Sequence, residues 1–184
     1  MKAKQKGTKV ITGKVRASYA HIFEPHSMQE GQDAKYSVSL IIPKSDTSTI
    51  EAIEKAIEEA KEAGKATKFG GKIPANLKIP LRDGDIDRED DPNYKDAYFM
   101  SVSSKKAPGI IDQNKIRLTD PGTVVSGDYI RASVNMYAFS ASGNKGIAAG
   151  LNNIQLVEKG EPLGGASSAE DDFDELDNDD DDLL

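Results

Sequence analysis

The side chains most able to do chemistry in this sequence are carboxylates on one short stretch. Asp83-Gly84-Asp85-Ile86-Asp87 begins like a calcium loop, but Arg88 stands where the turn glycine belongs and Tyr94 where the bidentate glutamate belongs. Asp85, Asp87 and Glu89 could instead hold metals in a nuclease, yet carboxylates on one flexible loop are poorly preorganised for that task. His21 and His26 have no cysteine and no second histidine pair beside them, so they are expected in a loop after the first strand and not on a metal. Gly64-Lys65 lacks the upstream glycine of a phosphate loop. The chain contains no cysteine, which excludes disulfides, thiolate zinc sites and a cysteine nucleophile and fits a reducing cytoplasm. No nucleophile and base suggest themselves as a pair. Neither enzymatic activity, a metal nor a cofactor is expected.

A second group of residues points to binding. Lys14, Arg16 and Tyr19 lie on or beside one strand-like stretch. Tyr94, Tyr98 and Phe99 bracket another, with Lys105 and Lys106 just after it, and Arg131 and Tyr137 lie on a third. Cationic side chains track phosphates and aromatic faces stack on bases of any identity, the pairing that sequence-tolerant binding of a single strand requires. Lys14, Arg16, Lys105, Lys106 and Arg131 are therefore expected on phosphates, with Lys72 also on the DNA, and Tyr19, Tyr94, Tyr98 and Tyr137 on bases. The plain alternative for each aromatic is a place in the core, where Phe23, Phe99 and Phe139 are expected.

Charge divides the chain. The formal net charge is -7, but residues 165–184 hold ten acids and no base, which leaves 24 bases against 21 acids elsewhere. A mildly basic body thus carries an acidic appendage. That appendage, with Asp171, Asp172, Phe173, Asp179, Asp180, Asp181, Asp182, Leu183 and Leu184, cannot bury enough surface to fold. A tethered polyanion has a high effective concentration near a cationic cleft and competes with nucleic acid there. Its apolar tip, Leu183-Leu184, is suited to docking on a partner protein, although a solubilising terminus would also be acidic.

Period-2 patterning places strands over Lys9–Tyr19, Ala34–Ile42, Ala97–Ser104 and Asp128–Ser140, the last paired as a hairpin with Ile147–Val157 through Ser142-Gly143-Asn144-Lys145-Gly146. One helix starts at Ser48 or Asp46, buries Ile50, Ile53, Ile57 and Ala60, and ends near Gly64. Residues 65–96 are a long insertion, basic and then acidic. No run reaches the length of a membrane span, and no apolar segment follows the basic N-terminus as a secretion signal would require. A folded body over residues 1–160 and a linker with tail over 161–184 are expected.

Several blocks, in order, carry a resemblance. They are Arg16-Ala17-Ser18-Tyr19 with Phe23-Glu24-Pro25, Tyr36 to Lys44 before the helix, and Lys105 through Ile110. Tyr129 to Ser133, Gly146-Ile147 and Leu151 to Val157 complete the series. Together they resemble a bacteriophage family of OB-fold single-stranded-DNA-binding proteins with acidic tails, over most of residues 9–164. The resemblance implies a mainly β protein: an OB-fold-like five-stranded barrel with one α-helix, a long inserted loop and a disordered acidic tail. It implies protection of single-stranded DNA during phage replication and recombination, in the cytoplasm of a bacterial host. It further implies a tail that recruits a polymerase, helicase or recombinase, and it leaves room for a homodimer. In one departure, the helix follows the second strand here and not the third. The competing reading is a protein-interaction module of the replication or packaging machinery that binds no nucleic acid.

Overall fold

A computed structural model describes residues 1–27, 29–163 and Leu176. In chain order the elements are β1 (Lys4–Lys6), β2 (Lys9–Ile11), β3 (Val15–His26), β4 (Lys35–Pro43) and α1 (Thr47–Thr67). Then come β5 (Arg82–Asp83), α2 (Gly84–Asp87), β6 (Ala97–Ser104), β7 (Gly109–Ile111), β8 (Tyr129–Ala141) and β9 (Asn144–Glu158). Short 3₁₀ turns cover Pro92–Tyr94 and Pro121–Thr123. Five of the strands close on themselves: β8 pairs with β3, β3 with β4, β4 with β6, β6 with β9, and β9 returns to β8. This ring is the expected OB-fold-like barrel, and its helix does follow the second ring strand. Alternation along each strand sends Val15, Ala17, Leu40, Ile42, Met100 and Val102 inward, where they meet Ile130, Val134 and Ile147. The hairpin of β8 and β9 turns on Ser142 and Gly143, with φ of 49° and 81°, the positive pair that a two-residue turn needs.

Asp46 caps α1, accepting from the Thr49 N–H at 3.1 Å and from the Thr49 hydroxyl at 2.6 Å. Ile53, Ile57 and Ala60 are buried as their spacing requires. The helix does not stop at Gly64. It runs to Thr67, and the Gly64 carbonyl accepts the N–H groups of Lys68 and Phe69 at 2.8 and 3.0 Å. Gly64 is there because α1 lies against β8: a Cβ at this position would collide with the Ala138 Cβ. Gly64→Ala should therefore destabilise the protein by about 1–2 kcal/mol, overpacking outweighing the gain in helix propensity, as a lowered melting temperature would record.

The expected strand over Lys9–Tyr19 is two strands, split where Gly13 passes under the start of α1 and donates to the Thr49 hydroxyl at 2.9 Å. β3 then continues past Tyr19 through a register shift between Ser18 and His21, with Tyr19 at a φ of 48°. His21 and His26 consequently lie on β3 and not in a loop, because the bulge re-aims the strand without ending it. The 65–96 insertion carries β5 and α2, with β5 paired to β6. Three of its acids are engaged by cations: Asp83 and Asp85 hold Lys44 at 2.9 and 2.7 Å, and Asp87 holds Arg82 at 3.2 Å. Bonds from Lys44 and from the Asp96 N–H keep the Asp85 carboxyl below its ordinary pKa, and the same carboxylates raise that of Lys44. A metal would have to displace these cations, which argues against a nuclease centre on this loop.

Past β9 the chain stays on the body beyond the boundary expected at residue 160. Asp128, fully buried, accepts from the Val125 and Gly160 N–H groups at 2.8 and 3.1 Å and from Lys159. Arg16 donates to the Glu161 carbonyl at 2.8 Å, and the Leu163 N–H to the Ser126 carbonyl at 3.0 Å. Leu163 packs on a small outer cluster of Ile41, Tyr94, Ala97 and Phe99. Among the described residues no helix is long and apolar enough to cross a membrane. Except for Leu176, the acidic tail, including Asp171, Asp172, Phe173, Asp179 to Asp182, Leu183 and Leu184, lies outside the described residues.

Candidate nucleic-acid interface

The outer face of the ring has a floor of small side chains. Ser37-Val38-Ser39 on β4 and Ser101-Val102-Ser103 on β6 repeat one tripeptide, and the two copies lie side by side in antiparallel register. Each valine points into the core and each serine to the outer face, where Ser37, Ser101 and Ser103 are accessible and Ser39 is buried beneath Tyr94. The row His21, Ser37, Ser103, Gly150, Asn135 runs across all five ring strands. Tyr137, 48% exposed, stands beside it with its ring edge against Gly150. Small residues let an extended chain lie close to the sheet, and the aromatic offers it a stacking face.

Bases flank this floor at both ends. Lys35 and Lys105 border a cleft of about 450 Å³ with Ser37 and Ser103. Lys78, Arg82 and Arg88 border a neighbouring cleft of about 270 Å³ with Ser101, Ser103 and Phe139, so the two meet at Ser103. The guanidinium groups of Arg82 and Arg88 lie 5.6 and 4.9 Å from the centre of the Phe99 ring. Together these form a groove with cationic ends and a floor that takes a backbone. Lys35, Lys78, Arg82, Arg88 and the three groove serines, Ser37, Ser101 and Ser103, were not among the residues picked out from the sequence. The doubled Ser-Val-Ser was the available signal, since serine alternating with valine marks a strand with one smooth polar face.

The residues expected in the interface are divided by the structure. Tyr137, Lys105 and Lys106 are exposed on or beside the groove, and Lys72 is exposed in the loop after α1. Tyr19 is 62% exposed at the bulge of β3. Tyr94 is corrected: it is 1% exposed, donates to the Ser18 hydroxyl at 3.0 Å and meets Phe99 edge-on, so it is a core residue. Tyr98 alternates onto the face opposite the serines, under the Lys44 ammonium at 5.3 Å, and cannot join Tyr137. Three bases expected on phosphate have structural partners instead. Lys14 pairs with Glu158 at 2.7 Å, a bond that raises its pKa. Arg16 donates to the Gly127 and Glu161 carbonyls, and Arg131 to those of Thr12 and Lys2. Of the expected core aromatics, Phe99 is buried while Phe23 and Phe139 are half-buried.

His21 and His26 stack at 4.1 Å along one wall of the groove. Burial, and then the neighbouring His26, push the His21 imidazole below its ordinary 6.5. The folded protein thus binds fewer protons at His21 than the unfolded chain does. The stability from His21 is complete above pH 6.5 and is lost as pH falls below that value through the depressed pKa of the folded state. Thermal melts over this range should show the loss, and His21→Asn should flatten it.

A closed five-stranded ring with an end helix and a cation-flanked outer groove defines an OB-fold-like protein of the nucleic-acid-binding type. The family model described as "Enterobacter phage Enc34, ssDNA-binding protein" matches residues 8–184, and the chain belongs to that family. The chain is similar to the single-stranded DNA-binding protein from bacteriophage Enc34 in complex with ssDNA, at 25% identity and a TM-score of 0.74, over 86% of this chain and 91% of that one. Another structure of the Enc34 protein matches at 23% identity and a TM-score of 0.71, over 92% of each chain. The fold is also shared with gp2.5, a single-stranded DNA binding protein encoded by bacteriophage T7, at 17% identity, a TM-score of 0.60 and 96% coverage of each. Among curated proteins none matches the chain.

Proposed function

We propose that this chain binds single-stranded DNA without sequence-defined register and protects it during phage replication and recombination in the host cytoplasm. The observation that carries the reading is its likeness, over 86% of its length, to a family member solved with ssDNA. The serine-floored groove with cations at both ends supports it physically, since phosphates are held by charge and bases by stacking. It acts by binding and not by catalysis. The acidic tail competes with DNA for the groove and recruits replication proteins, a polymerase, helicase or recombinase. Its tether point favours the competition: Leu163 borders the same cleft as His21, whose row forms the groove floor.

Fluorescence anisotropy with a labelled oligo-dT tests this reading. The full chain is compared with one ending at Ser168, at two salt concentrations. Tighter binding by the shortened chain, weakening as salt rises, is the expected result. No binding by either chain at low salt would overturn it and favour a protein-interaction module.

A further inference from the structure

We infer that the cleft beside Tyr19 is a nucleobase subsite preferring bases with an exocyclic amino group over thymine, an inference that rests on the single-strand reading above. The cleft measures about 450 Å³ and joins the groove at His21, but no lysine or arginine borders it. Tyr19, Asp91, Asn93 and Ser126 do. Asp91 makes no ion pair among the described residues, and Asp87, Glu89 and Asp90 line the adjoining cleft with it and Arg88, so phosphate is repelled and what enters from a bound strand is the uncharged part of a nucleotide.

The cleft has one aromatic wall and one polar wall. Tyr19 holds a φ of 48°, which is costly for a bulky side chain, and its ring is nevertheless 62% exposed. The bulge of β3 sets that conformation, and it turns the Tyr19 ring into the cleft with a face open for stacking. The polar wall is the start of the 3₁₀ turn Pro92–Tyr94. Tyr94 fixes that turn to the sheet through hydroxyl bonds of 3.0 Å to Ser18 and 3.4 Å to Ser39, which makes Tyr94 a positioning residue.

Asp91 Oδ1 accepts the Asn93 N–H at 3.0 Å, while among the described residues Asp91 Oδ2 and the Asn93 carboxamide make no hydrogen bond. The Ser126 hydroxyl accepts the Ala20 N–H at 3.0 Å and keeps its own proton to donate. An acceptor-only carboxylate takes the amino N–H of cytosine, whereas the corresponding carbonyl of thymine faces it with a lone pair.

The test uses the full chain at neutral pH and low salt, with labelled dC and dT oligonucleotides of equal length. The wild type should bind dC about fivefold more tightly than dT, within the discrimination expected of one base-edge contact. Asp91→Asn keeps the acceptor for the Asn93 N–H but adds a donor, and should bring that ratio close to one. Tyr19→Gly should weaken both ligands about tenfold without lowering the melting temperature, because glycine accepts the positive φ and only the stacking face is lost. Equal binding of dC and dT by the wild type, or wild-type affinity in Tyr19→Gly, overturns the subsite while leaving single-strand binding intact. Failure of the wild type to bind either oligonucleotide overturns the underlying reading as well.

Discussion

Changing Lys35, Lys78, Arg88 and Lys105 together to glutamine is expected to weaken binding to oligo-dT about a thousandfold at low salt, at about 1 kcal/mol for each charged contact. These four cations stand at the two ends of the serine floor. If each one neutralises a phosphate, the slope of log affinity against log salt should also shrink by about 2.8, at roughly 0.7 per contact on a single strand. A smaller loss with an unchanged slope would place the phosphates elsewhere. The matching control changes Lys14, Arg16 and Arg131 to glutamine. Those side chains serve Glu158 and backbone carbonyls, so this variant should melt earlier and keep its salt slope. Measuring both series by anisotropy separates charges that meet DNA from charges that hold the protein together.

Asp128→Ala should be the most damaging single change, costing about 3–4 kcal/mol. The carboxylate is fully buried and satisfies two backbone N–H groups and Lys159. Removing it strands the Val125 and Gly160 donors and frees the segment that carries Leu163 onto Ile41 and Phe99. Gly127 and Gly160 permit that close crossing, since a Cβ on either would strike the opposite backbone. Urea titration should show a lowered midpoint with little change in slope. Asp128→Asn, which keeps an acceptor for the Gly160 N–H, should lose less.

Local chemistry was legible in the sequence, and closure of the ring was not. Ala97–Ser104 has the bounds its alternation suggests, and Ser142-Gly143 marked the hairpin, because both depend on neighbours in the chain. Tyr94 looked like a stacking residue in an acidic loop. Its burial follows from Ser18 and Ser39, which only the folded sheet brings beneath it. Gly64 looked like a helix end because its real constraint, Ala138, is remote in sequence. The groove itself was missed for the same reason. Its floor is made of serines, which no charge or aromatic pattern marks, and its cations come from β4, the insertion and the turn after β6. The family resemblance nonetheless carried the fold and the class of protein, since it depends on the order of many blocks and not on any one side chain.

The ring closes between β6 and β9 at one aligned pair, Ser103 opposite Gly150, whereas β4 and β6 share eight. That seam and the two-pair join of β3 to β8 are the cheapest places for the barrel to breathe, and amides along them should exchange with solvent ahead of the rest of the wall. The two groove clefts meet at Ser103, so a bound strand would lie across the seam like a stitch. The protein that protects the strand would in turn be held shut by it.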